Sequence, residues 1–141
     1  MAHEVVKVEL YGANRDGDAR RFTCASGTAI SKGTILVLTS PRTVTGMADN
    51  QEVKPVAGIA AMDKSGTDYS TSITAWTNGI FEMYASGAIA RGRDVILSDT
   101  TNFVAAPSTA TAAAAASGAA ILGYALEDAS GNDVINVRLR L

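Results

Sequence analysis

The alternation of apolar and polar positions along the chain predicts a succession of short strands. "VVKVELY" (5–11) puts Val6, Val8 and Leu10 on one face and Lys7, Glu9 and Tyr11 on the other. "VINVRLRL" (134–141) does the same, with Ile135, Val137, Leu139 and Leu141 opposite Asn136, Arg138 and Arg140. A helix would scatter these apolar residues around its circumference. "TILVL" and "DVIL" are short and continuously apolar, the pattern of strands buried on both faces. "SITAWTNGIFEMYA" reads as a hairpin: strands Ser72–Thr77 and Ile80–Ala85 flank Asn78-Gly79, a pair suited to a type I′ turn. "NRDGDA" reads as a looser turn. No long amphipathic helix is expected. The alanine run Thr109–Ala116 is either a short helix or a surface loop.

Two phrases recur in the same order. "CASGTAISKGTILVL" (24–38) is echoed by "YASGAIARGRDVIL" (84–97), and "VAGIAAMDKSGTD" (56–68) by "ILGYALEDASGND" (121–133). Chance readily repeats one such phrase; it rarely repeats two in order. The chain therefore reads as one β domain, residues 1–141, with an internal pseudo-repeat of about 5–77 and 78–141. Two copies and a long period do not make a solenoid. The expected architecture is mainly β, a compact β-barrel or β-clip-like domain whose two units pair edges and bury one shared core.

Glycine marks the expected corners. Gly27 and Gly87 would bend the chain as it leaves a strand. Gly33 and Gly92 would form a tight turn into the next strand, beside Ile30 and Ile89. Gly58 and Gly123, with alanine neighbours, predict close approach of another backbone, from the other half or from a neighbouring subunit.

Composition narrows the chemistry. Twelve basic and 14 acidic residues leave a net charge of −2 without a basic block, which argues against nucleic acid as a partner. The lone Cys24 excludes an intramolecular disulfide and a cysteine-based zinc site, and reads as a small buried hydrophobe. "MAHEVVKVEL" has no basic leader or long apolar stretch, so export is not expected. The Ala-rich run 105–126 gains too little from lipid to predict a membrane span. His3 is the sole histidine and lies where a mobile end is expected, a poor place for a Ser-His-Asp or Cys-His arrangement. Asp63, Asp68, Asp128 and Asp133 read as turn caps, with calcium binding the alternative if their loops converge. Arg91 and Arg93 flank Gly92 where the first copy has Lys32; they are a solvated turn or a grip on an acidic partner. Trp76 is core or an interface anchor. No cofactor or metal is called for.

"ASGAIARGRDVIL", followed by "ILGYALEDASGNDVINVRLRL", resembles the capsid cement or head decoration proteins of tailed bacteriophages. The similarity runs from about Val5 to Leu141, with the alanine-rich connector 105–120 a departure from the pattern. The resemblance implies a non-enzymatic β-rich protein on the outer capsid surface of the virion, made in the host cytoplasm. It also implies that the protein is a trimer and binds the major capsid protein to hold neighbouring shell subunits together. The segment Ala2, His3, Glu4 and Val5 is the expected foot on the shell, by strand addition to a sheet edge; the alternative is a disordered tail. Competing readings are another virion part, such as a tail or fibre component, and a β-barrel module binding sugar or another ligand. The second lacks an aromatic patch, because 1 Trp, 4 Tyr and 3 Phe are dispersed along the chain. A small hydrolase is the weakest reading, for want of a suitable histidine.

Overall fold

A computed structural model describes residues 4–9, 19–49, 54–67, 69–107 and 120–141. No helix occurs among them, and the Thr109–Ala116 run and the "NRDG" segment lie outside the described residues. The first unit holds β2 (Ala19–Thr23), β3 (Ile35–Ser40), β4 (Thr43–Gly46), β5 (Val56–Ala60) and β6 (Ser72–Trp76). They close into a barrel in the order β2-β4-β3-β5-β6. The second unit holds β7 (Asn78–Ala85), β9 (Asp94–Leu97), β10 (Phe103–Ala105), β11 (Ile121–Ala125) and β13 (Val134–Arg140). Their order is β7-β10-β9-β11-β13, and a β13–β7 ladder closes the ring. A short pair, β8 (Ala88–Ile89) with β12 (Ala129–Ser130), lies beside this barrel.

The two barrels match pair by pair. β2–β4 and β7–β10 are the parallel contacts in their respective rings. The remaining neighbours are antiparallel in both. Even the irregularities correspond: β5 slips against β3 between Val56 and Gly58, and β11 slips against β9 between Ile121 and Gly123. Arg42 (φ 55°) and Asn102 (φ 62°) lie two residues before Val44 and Val104, in matching turns.

The mainly β, barrel-like architecture is the one expected; the difference is that each unit closes its own ring instead of pairing edges with the other. Closure removes edges inside each unit. The core is nevertheless shared in part, because strands alternate. In the first barrel Leu36, Val44, Ala57, Ala60 and Ile73 point inward and cluster with Cys24 and Ile30. Ile35, Val37, Val56 and Ile59, on the other faces of β3 and β5, join a larger cluster containing Phe81, Met83, Leu97, Val137 and Leu139 of the second unit. Burying each such side chain stabilises the fold by about 1.5–3 kcal/mol. The continuous apolar runs thus have one face toward their own barrel and one toward the joint.

The Asn78-Gly79 hairpin does not form. β6 pairs with β2 and β5, and β7 pairs with β13, so the chain runs straight from one barrel into the next. Asn78 and Gly79 lie opposite Arg140 and Leu139 in the β7–β13 ladder. A long ladder outweighs a two-residue turn preference.

β1 (Val6–Glu9) precedes the first barrel in sequence but is bonded to the second, antiparallel to β7 at Glu82, Phe81 and Ile80. It shares that edge of β7 with β10, which pairs farther along at Tyr84 and Ala85.

Candidate functional site

The repeated corners share the same bonds from backbone amides. The Lys32 and Arg91 amides donate to Asp63 Oδ1 and Asp128 Oδ1, at 2.7 and 2.8 Å. The Gly33 and Gly92 amides donate to the Ala60 and Ala125 carbonyls, at 2.9 and 2.7 Å. Both glycines have φ 82°, a conformation that costs a residue with a Cβ about 1–2 kcal/mol. Asp63 and Asp128 are therefore turn caps in this structure. Asp133 accepts the Ser130 amide and hydroxyl, and Asp68 lies outside the described residues. The hydrogen bond from the Arg91 amide, and then the neighbouring guanidinium, hold Asp128 below the usual carboxylate range despite some desolvation; the Ser130 bonds do the same for Asp133.

The "ASG" coincidence is out of register. The Cys24 amide donates to Thr71 and the Ala85 amide to Asp133, and Phe22 and Met83 face Ile73 and Ile135. Cys24 therefore corresponds to Ala85, not to Tyr84, and the first corner is the longer of the two. In this longer corner the buried Lys64 ammonium donates to the Ser26 and Thr28 carbonyls, at 3.2 and 2.9 Å. The corresponding residue in the second unit is Ala129, paired with Ile89 as Lys64 is bridged to Ile30.

The other glycines differ in what they do. A Cβ on Gly123 would collide with the Arg138 carbonyl; one on Gly58 would lie 2.5 Å from the Trp76 carbonyl. The close backbone belongs to the adjacent strand of the same unit, not to the other half or a neighbouring subunit. Gly27 and Gly87 have open space around the Cβ position and no positive φ.

A joint between the barrels converges on Gly33. Its carbonyl accepts the Val5 amide at 3.0 Å and Asn102 Nδ2 at 3.3 Å, while Asn102 Oδ1 accepts the Ile35 amide at 2.9 Å. Buried Asn102 thus offers β3 a donor and an acceptor, as a neighbouring strand would. Asp49 accepts both the amide and hydroxyl of Thr101 at 2.8 Å, and the hydroxyl bond, then the amide, lowers its pKa. Neither Asn102 nor Lys64 stands out in the sequence, because each is defined by carbonyls and amides brought from far along the chain.

Of the expected foot, Ala2 and His3 lie outside the described residues and Glu4 is exposed. Val5 is 2% exposed and held by Gly33, so it is a joint residue and not a free surface. Beside it lies a cleft of about 160 Å³ lined by Glu4, Val5, Val6, Lys7, Lys32 and Trp76. Trp76 packs 5.7 Å from Phe81 and also carries two ammonium groups, Lys7 Nζ at 5.2 Å and Lys32 Nζ at 5.9 Å from its ring centre. It therefore belongs to the core on one side and to a surface cleft on the other. Cys24 is buried. Arg91 is engaged by Asp128 at 2.8 Å, and Arg93 is exposed. Among the described residues no three His, Cys, Asp or Glu side chains gather as a metal site, and no helix is long and apolar enough to cross a membrane.

The fold defines a class: an all-β scaffold of two like, closed barrels joined through a common apolar cluster. It is similar to the crystal structure of the head fiber gp8.5 N base in bacteriophage phi29, with a TM-score of 0.50 and 15% identity over 86% of this chain and 94% of that one. A family model described as phage cement protein matches residues 14–141, and the chain belongs to that family. No curated protein matches it in sequence.

Proposed function

We propose that this protein cements a phage head: it binds the outer surface of the icosahedral shell, contacts the major capsid protein and stabilises the junctions between its subunits without catalysing a reaction. The family match over 14–141 carries this reading. The chain acts as one domain of two units, about 5–77 and 78–141, and as a homotrimer. An interface of ordinary size, about 1,600 Å² in total, supplies a modest free energy per contact. Repetition over a lattice and within a trimer multiplies it, because all contacts must release together. The joined barrels suit this work: a scaffold locked at Gly33 and Asn102 loses little conformational freedom on binding.

The foot on the shell is the segment ending in Glu4 together with the strand after it, β1; Val5 anchors it to the body. Purified protein mixed with expanded empty heads tests the reading. Co-sedimentation at a saturating ratio, with a raised head melting temperature, supports it. Failure to bind expanded or unexpanded heads rejects it, and binding to tails alone favours a tail or fibre role. Light scattering tests the trimer, free and on the shell.

A further inference from the structure

We propose that the cleft between β1 and Trp76 is a carboxylate-binding subsite, and that its occupant is an acidic extended segment of the shell protein lying along the open edge of β1. The inference rests on the cement reading and specifies its contact.

Three observations carry it. The first is convergence of like charge. Lys7 and Lys32 come from distant parts of the chain, yet both ammonium groups lie over the Trp76 indole, at 5.2 and 5.9 Å. The ring's negative face attracts each of them. Neither lysine has a carboxylate within ion-pair distance among the described residues. Glu4 lines the same cleft without pairing to either.

The internal repeat supplies the second, as a control. Lys32 corresponds to Arg91, and both amides cap the matching aspartate. Arg91 also turns its guanidinium onto Asp128 at 2.8 Å, whereas Lys32 turns its ammonium away from Asp63 toward the indole. Trp76 corresponds to Arg138, opposite Tyr124 as Trp76 is opposite Ile59. The second unit stacks Arg140 on Tyr124, at 5.4 Å, and Arg138 reaches the Tyr124 hydroxyl, so among the described residues two lysine ammonium groups over one indole occur in the first unit alone, beside β1.

The third is the open strand. Among the described residues β1 ends its sheet, bonded to β7 on one side, and Val6 and Val8 are 47% and 49% exposed. A strand edge recruits an extended chain through backbone bonds, and alternate side chains then select it. Val6 and Lys7 both line the cleft, and β1 is irregular between Lys7 and Glu9. A matching segment brings a carboxylate to Lys7 and Lys32.

The test is binding to expanded empty heads, with melting temperature of each variant as the check on folding. Lys7 and Lys32 are exposed, so Lys7→Glu, Lys32→Glu and their double leave the fold intact. The double variant is expected to weaken head binding by about tenfold or more, with a smaller salt dependence than the wild type. Lys7→Arg with Lys32→Arg retains binding, and Glu4→Gln, removing the resident carboxylate, tightens it about twofold. If the wild type binds heads and the double Glu variant binds equally well, the subsite is wrong while the cement reading stands. If the wild type itself does not bind heads, both fall.

Discussion

The two barrels share one strand order and one set of corner bonds, yet differ wherever they face each other. In the first, Gly33 is buried and its carbonyl serves Val5 and Asn102; in the second, Gly92 has the same φ and is exposed. Ile35, Ile59 and Trp76 of the first correspond to Asp94, Tyr124 and Arg138 of the second. One face of the first unit is apolar and packs on its neighbour, while the matching positions of the second are Asp94, Tyr124 and Arg138. The repeat separates what a residue contributes to the barrel from what it contributes to the joint.

Glycine substitutions break the comparison most sharply. Gly123→Ala drives a methyl group into the Arg138 backbone and is expected to destabilise by about 4 kcal/mol or more. Gly58→Ala is also severe, against the Trp76 carbonyl. Gly27→Ala and Gly87→Ala meet open space and stay within about 0.5 kcal/mol of the wild type. Urea midpoints of the four variants check this.

Next comes the joint. Asn102→Ala strips the Ile35 amide of its side-chain acceptor in a buried place and is expected to cost about 2 kcal/mol. Arg42→Ala, at the matching exposed turn, loses only a long 3.4 Å bond to the Arg21 carbonyl and changes stability by less than about 0.5 kcal/mol. Equal losses would mean that the joint carries no more than the turn itself. Lys64→Met is expected to cost about 1–2 kcal/mol, since the Ser26 and Thr28 carbonyls lose their donor. Thermal melts compare it with the second unit, which uses Ala129 at that place.

The smallest effect is that of acid. Asp49, Asp128 and Asp133 all titrate below their ordinary value in the folded protein. A depressed folded pKa contributes stability that is complete above the unfolded value, near 3.8, and is lost as pH falls through the folded one. Melting temperature is thus expected to be level from pH 7 to about 5 and to decline below about 4. Asp49→Asn and Asp128→Asn each shallow that decline; because all three carboxylates are exposed, the slope is gentle.

Most strands were legible because period-2 alternation is a local signal. The matching corners were legible because glycine turns constrain sequence twice over. A barrel was legible, but not that each unit closes its own, since "DVIL" looks the same whether its far side meets its own unit or the other. Asn78-Gly79 misled because turn preference is local and the β13 ladder is not. The "ASG" echo misled by one residue because an alanine and a serine say little about register. Of the candidate subsite, only Trp76 stood out; Lys7 and Lys32 are ordinary surface lysines until the fold sets them over one ring.

The bonding of β1 to β7 also orders events in time. A ribosome delivers β1 before either barrel, but its partner emerges only after the first barrel's last strand. The earlier barrel can therefore close while β1 still dangles. Pairing of that strand, and the cleft beside it, must wait for β7 to emerge, after the first barrel's last strand.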